Sequence, residues 1–62
     1  MTSQEIKELR QKLGLSQEYF AIKVGVSAKT VARWERGTKP IPLAVEKLEQ
    51  IKRDMEEATH AL

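Results

Sequence analysis

Three cations recur within a short stretch of this 62-residue chain, at positions 29, 33 and 36. On a helix with about 100° per residue, Lys29, Arg33 and Arg36 lie roughly 160°, 200° and 140° from Val31. If Val31 points into a core, the three cations share the outward face. Such side chains can bind phosphate oxygens, and an arginine can also donate two hydrogen bonds to a guanine edge. Taken alone, a basic helix face is more often only a solvated surface.

The residues around these cations predict two short helices that meet at Gly25. Ser16 and Ser27 each precede a helical pattern, where a hydroxyl can accept hydrogen bonds from unpaired amides of the first turn. An apolar residue precedes each serine and another follows four places after it, the pattern of a hydrophobic staple. Glycine can adopt the left-handed conformation that reverses the chain. We therefore expect helices at about 17–24 and 28–36, crossing at a steep angle. The staple residues are Leu15 with Phe20 and Val26 with Val31.

The segment after Gly37 predicts a loop and then a long last helix. Two prolines stiffen the loop, and Pro42 is a residue type favoured at the first position of a helix. The predicted helix covers about 43–60 and repeats apolar residues at spacings of four and three, which is a short heptad seam. Its first half must cover the core, whereas its second half allows two interpretations, a dimer contact or a frayed acidic tail. The candidate dimer contacts are Ile51, Met55, Ala58 and Leu62.

A first helix is predicted to begin near Ser3, with Thr2 and Glu5 forming a capping box. It carries Arg10, which we expect to pair with Glu35. Glu35 lies near the inward side of the helix 28–36, and an unpaired buried charge is costly. Arginine suits this position because its planar guanidinium can bind a carboxylate through two hydrogen bonds. The pair would have an architectural role.

These residues together resemble the helix-turn-helix family of the phage Cro and repressor proteins, often called the XRE family. The resemblance runs from about Ile6 to Leu48, and several non-equivalent positions agree at fixed spacing. It implies an all-α fold of the lambda-repressor-like DNA-binding type, a compact bundle of four to five helices, here with an extended C-terminal helix. It also implies binding to duplex DNA, usually as a homodimer and usually to regulate transcription. The matching positions are Leu15-Ser16-Gln17, Ala21, Gly25, Val31, Trp34-Glu35 and Arg36-Gly37.

The resemblance further implies how the motif docks on DNA. The helix 28–36 would enter the major groove, with base contacts from Ala28, Lys29, Thr30 and Arg33. Contacts to phosphates would position the protein without reading the sequence, and they would come from Gln17, Ser27, Arg36, Thr38 and Lys39. Many phage repressors carry glutamine or asparagine where this chain has Ala28 and Lys29, so the base preference does not transfer. Arg10 and Glu35 match a structural pair that recurs in these repressors.

Length and charge agree with that interpretation. A chain of 62 residues predicts one small domain over residues 1–62, with the motif at about 17–36. The net charge is only +2. Residues 1–40 hold eight Lys or Arg against four Asp or Glu, a net +4, whereas residues 41–62 hold three against five, a net −2. The motif end is therefore the basic end, which would orient it toward phosphates.

Composition disfavours other function classes. With no cysteine and a single histidine, the chain lacks the usual zinc ligands, and we expect no metal and no cofactor. A hydrolase needs a base beside its nucleophile, and a chain with one histidine and no cysteine offers no clear pair of this kind. We therefore expect no enzyme. No apolar run predicts a membrane span or a secretory signal, and the lack of cysteine favours a cytoplasmic location. We expect a transcriptional repressor. The alternative is an antitoxin or adaptor that holds a protein partner such as a toxin, with autoregulatory DNA binding.

Overall fold

The computed structural model describes the backbone of residues 1–60 and the side chains of residues 1–58. In that part of the chain it contains four helices and no strand, which confirms the predicted all-α fold with an extended last helix. The 19 residues of the last helix correspond to a length of about 28 Å. None of the described helices is both long enough and apolar enough to cross a membrane. The helices are α1 (Ser3–Lys12), α2 (Gln17–Val24), α3 (Ala28–Glu35) and α4 (Pro42–His60).

Side-chain caps determine where the first three helices begin. The Thr2 hydroxyl accepts from the Glu5 amide at 3.1 Å, and the Thr2 amide donates to Glu5 Oε1 at 3.0 Å, which completes a capping box. Ser16 and Ser27 each accept a hydrogen bond at 3.2 Å from the amide three positions further along. These bonds satisfy amides that have no partner within the helix, so each start coincides with the predicted one.

The turn between α2 and α3 depends on Gly25, which has φ +92°. The amides of Gly25 and Val26 both donate to the carbonyl oxygen of Ala21, at 2.8 Å and 2.9 Å. This left-handed cap closes α2 and reverses the chain, and it favours glycine because a side chain is strained at such a φ. As a result, α3 can begin at Ala28, only four residues after α2 ends.

One cluster of buried apolar side chains holds the four helices together. Helix α3 packs against α1 and α2, and α4 packs against α2. Burial of a large apolar side chain contributes about 1.5–3 kcal/mol, so this cluster is the main favourable contribution to folding. Its members are Ile6, Leu9, Phe20, Ala21, Val24, Val31, Trp34, Ala44, Leu48 and Ile51.

The packing of α4 corrects one expectation about the dimer contact. Ile51 is only 5% exposed and belongs to the core of its own chain, so the prediction that it contacts a second subunit is wrong. Met55 is half-buried and also packs against the core, whereas Ala58 is exposed. Leu62, the fourth candidate, lies outside the described residues. The core therefore uses α4 as far as Met55, further along the helix than a four-helix bundle was expected to need.

Candidate nucleic-acid interface

Helix α3 has one buried face and one basic face. Val31 and Trp34 are 0% and 4% exposed, which fixes the rotation of the helix against the core. Lys29 and Arg33 lie four positions apart, so they share the opposite face, and both are exposed. Within residues 1–58 neither of them forms a salt bridge with an acidic side chain. Their positive charges are therefore accessible to an anionic partner.

The other two predicted base contacts lie nearer the packed side of α3. Ala28 is half-buried and packs against the core, so only part of its methyl group faces outward. Thr30 is also half-buried, and its hydroxyl lies 2.9 Å from the hydroxyl of Ser27. The Ser27 oxygen also caps the helix through the Thr30 amide. The hydroxyls of Ser27 and Thr30 are thus hydrogen-bonded at the amino end of α3.

Three exposed residues extend the polar surface beyond the end of α3. The helix ends at Glu35, one residue earlier than predicted, because the chain turns at Arg36, the C-cap. The Arg36 side chain donates to the carbonyl oxygen of Ala32 at 3.4 Å. The Thr38 amide donates to the carbonyl oxygen of Arg33 at 3.0 Å, which folds the following loop back onto the helix. The exposed residues are Arg36, Thr38 and Lys39.

Arg10 and Glu35, the two residues that the sequence paired, form an ion pair between α1 and α3. Arg10 Nε donates to Glu35 Oε2 at 2.6 Å, and Nη2 donates to Oε1 at 3.0 Å. The third arginine nitrogen, Nη1, donates to the carbonyl oxygen of Leu15 at 3.0 Å. The two side chains are only 16% and 7% exposed. The hydrogen bond from Arg10 lowers the pKa of Glu35 below its ordinary value, although burial acts in the opposite direction.

Gln17 extends this pair to α2. It is the first residue of α2 and is half-buried, and its Nε2 donates to Glu35 Oε1 at 3.3 Å. The sequence predicts Gln17 at the amino end of α2 but does not predict this bond. No local pattern relates residues 18 positions apart, so no signal in the sequence indicates it. The predicted phosphate contact is thus joined to the Arg10–Glu35 pair.

Residues 6–51 match the protein family described as Helix-turn-helix. The match covers most of the chain, including all of α2 and α3 and the first half of α4. Comparisons with curated proteins and with solved structures gave no match. The matched family consists of DNA-binding domains and not of enzymes. The chain belongs to the XRE family of Cro- and repressor-like helix-turn-helix DNA-binding proteins.

Proposed function

We propose that the protein acts in the cytoplasm as a transcriptional repressor that binds a specific duplex DNA sequence. The observation that carries this proposal is the exposed pair Lys29 and Arg33 on α3, opposite a face that Val31 and Trp34 fix in the core. In helix-turn-helix proteins the second motif helix enters the major groove, where such side chains reach the bases. A protein bound in this way excludes others from the same DNA, which is the basis of repression.

The proposed base contacts rest on the family resemblance and on the chemistry of the side chains along α3. Arg33 would donate two hydrogen bonds to O6 and N7 of a guanine. Lys29 would reach a guanine or a phosphate. The outward part of the Ala28 methyl group would touch a thymine methyl, and Thr30 is a weaker base or phosphate contact. We therefore expect sequence preference to depend most on Arg33.

The phosphate contacts would come from residues at the ends of the two motif helices and in the loop after α3. They position the protein but read no bases. Since two of them, Arg36 and Lys39, are cationic, binding would release counterions and weaken as salt rises. At the amino end of α2 the helix dipole adds to the attraction of an anion. The proposed phosphate contacts are Gln17, Ser27, Arg36, Thr38 and Lys39.

We further propose that a homodimer is the working form. One helix-turn-helix copy buries little surface on DNA, so two copies on half-sites about 34–36 Å apart would supply the missing affinity. Because Ile51 is buried in its own core, a contact through α4 would involve Ala58 and the exposed part of Met55. The two recognition helices would then follow the same two-fold symmetry as the DNA site.

Selection from random duplexes tests this function directly. We expect enrichment of one site with two related half-sites, bound by two chains per duplex, with an affinity that falls as salt is raised. Stoichiometry can be measured on the selected complex by sedimentation. If no sequence is enriched and all duplexes bind alike at every salt concentration, sequence-specific regulation is refuted.

A second candidate is an antitoxin or adaptor whose main partner is another protein, such as a toxin, with autoregulatory DNA binding. The observation in its favour is an apolar groove beside the α2–α3 turn, lined in part by Val26, Ile41 and Leu43. Ile41 and Leu43 are 66% and 73% exposed, and exposed apolar patches often mark protein contacts. A stable complex with the product of a neighbouring toxin-like gene would support an antitoxin. Loss of all duplex binding at low salt would indicate an adaptor that binds protein alone.

A further inference from the structure

The carboxylate of Glu35 is shared by three helices. Its Oε2 accepts from Arg10 Nε at 2.6 Å, and its Oε1 accepts from Arg10 Nη2 at 3.0 Å and from Gln17 Nε2 at 3.3 Å. Gln17 is the first residue of α2, and Glu35 is the last residue of α3. The Glu35 side chain therefore connects α3, the proposed recognition helix, to the amino end of α2. In the proposed function this end of α2 contacts a phosphate.

The hydrogen bond restricts how the Gln17 amide can point. A glutamine amide carries two N–H donors and one acceptor oxygen, and the bond to Glu35 uses one donor. Within residues 1–58 the second donor has no partner, so it remains available for another contact. A free glutamine side chain would lose rotational freedom about several bonds on binding DNA. A side chain that the protein already holds loses less of this freedom, so the entropic cost of binding is smaller. The bond thus prepares the amide for a contact before DNA arrives.

Arg10 makes it possible to place a carboxylate here. An isolated negative charge near the amino end of α2 would repel the phosphates that this end attracts. The Arg10 guanidinium bonds both carboxylate oxygens and balances the charge. Its hydrogen bond also lowers the pKa of Glu35, against the effect of burial, and so favours the charged form that accepts from Gln17.

We propose that Glu35 is a positioning residue for DNA binding, which holds the Gln17 amide in the orientation that contacts a phosphate. Through the same bond Glu35 fixes the position of the amino end of α2 relative to α3. Arg10 neutralises the charge of Glu35. This inference rests on the proposed DNA-binding function. It adds a residue that touches no DNA itself but acts through Gln17.

A double-mutant cycle separates positioning from simple support of the fold. The parent, Gln17→Met, Glu35→Gln and the double variant are compared for affinity to a selected and a scrambled duplex, and for melting temperature. Gln17→Met removes the donor and keeps the Arg10–Glu35 pair, so we expect about three- to tenfold weaker binding to both duplexes at little cost in stability. Glu35→Gln leaves one acceptor oxygen for three donors, so it should weaken binding similarly and also lower the melting temperature.

The double variant decides the question. If Glu35 acts through Gln17, the double variant binds about as well as the weaker single variant. If the two losses multiply, Glu35 only supports the fold and the inference is wrong. Gln50→Met is the matched control, because Gln50 is exposed on α4 and bonds Asp54 within the same helix. It should leave affinity unchanged. If the parent itself binds no duplex at low salt, the proposed function fails and the inference falls with it.

A second measurement needs no variant, which matters if Glu35→Gln does not fold. In NMR spectra of the parent, the side-chain amide signals of Gln17 should move together with the Glu35 carboxyl carbon as the pH is lowered. Addition of duplex should then shift the Gln17 amide again. If the Gln17 amide signals change neither with the Glu35 titration nor on addition of duplex, the inference is wrong.

Discussion

Arg10 Nε lies 2.6 Å from Oε2 of Glu35, although 25 positions separate the two residues in the chain. The bond connects the last turn of α1 to the last residue of α3, and a second bond runs parallel to it at 3.0 Å. Neither side chain is more than 16% exposed. Most of the solvent that could replace a lost partner is therefore excluded, and the pair matters most through what its removal leaves unpaired.

Arg10→Ala should lower the free energy of unfolding by about 1–3 kcal/mol, because it leaves the Glu35 carboxylate and the Leu15 carbonyl oxygen without this donor. Urea denaturation at neutral pH measures the change. Arg53→Ala is the matched control, since Arg53 is exposed on α4 and bonds only Gln50 in the described structure. Its effect should stay within about 0.5 kcal/mol. An unchanged stability in Arg10→Ala would exclude a stabilising role for the pair.

The stability of the protein should fall in acid as Glu35 takes up a proton. The hydrogen bond from Arg10 is the largest cause that lowers the pKa of Glu35 below its ordinary value of 4.5. The folded chain then binds this proton less readily than the unfolded chain does. The contribution of Glu35 is therefore fully present above pH 4.5 and is lost as the pH falls through the lower pKa of the folded state.

Glu35→Gln should remove this part of the acid dependence. Urea denaturation from about pH 7 to about pH 2 in both proteins measures it. Glu5 keeps its own contribution in the variant, because hydrogen bonding with Thr2 lowers its pKa as well. Curves of the same steepness for the parent and the variant would show that Glu35 does not cause the loss.

Gly25→Ala should destabilise the turn by about 1–2 kcal/mol, the cost of placing an L side chain in the left-handed region. The cause is backbone conformation at φ +92°, since an added Cβ would meet no atom of the described residues within 4 Å. Gly25→Asn should cost less, because asparagine tolerates this conformation better. Thermal or urea unfolding of the two variants gives the comparison. Equal losses for alanine and asparagine would point to a cause other than φ.

Arg33→Ala should weaken binding to the selected duplex by about 1–3 kcal/mol and relax the preference at one base position. The expected cause is the loss of the two hydrogen bonds that we propose between Arg33 and a guanine edge. Titration of the selected site and of its single-base variants measures both effects. Arg53→Ala again serves as the control, as it removes an exposed arginine on α4. If both variants bind every duplex as the parent does, Arg33 is not a base contact.

Local chemistry made much of the fold predictable. Caps at Thr2, Ser16 and Ser27 and the left-handed Gly25 depend on residues a few positions apart, so the first three helices begin where the sequence predicts. The helical spacing of residues in α3 likewise predicted which side chains face outward. In the structure Val31 is buried and Lys29 is exposed, as expected. The ion pair between Arg10 and Glu35 was also predictable, since a carboxylate near a core requires a cationic partner.

Apart from the Arg10–Glu35 pair, contacts between distant parts of the chain could not be predicted in this way. The sequence by itself determined the helices, their caps and the basic face of α3, because each depends on spacing along one helix or one turn. Only the tertiary structure decided that Ile51 is core, that Ala28 is half-buried and that Gln17 bonds Glu35. These outcomes depend on how the helices pack, and packing is set by the combined shape of all the side chains rather than by any local pattern.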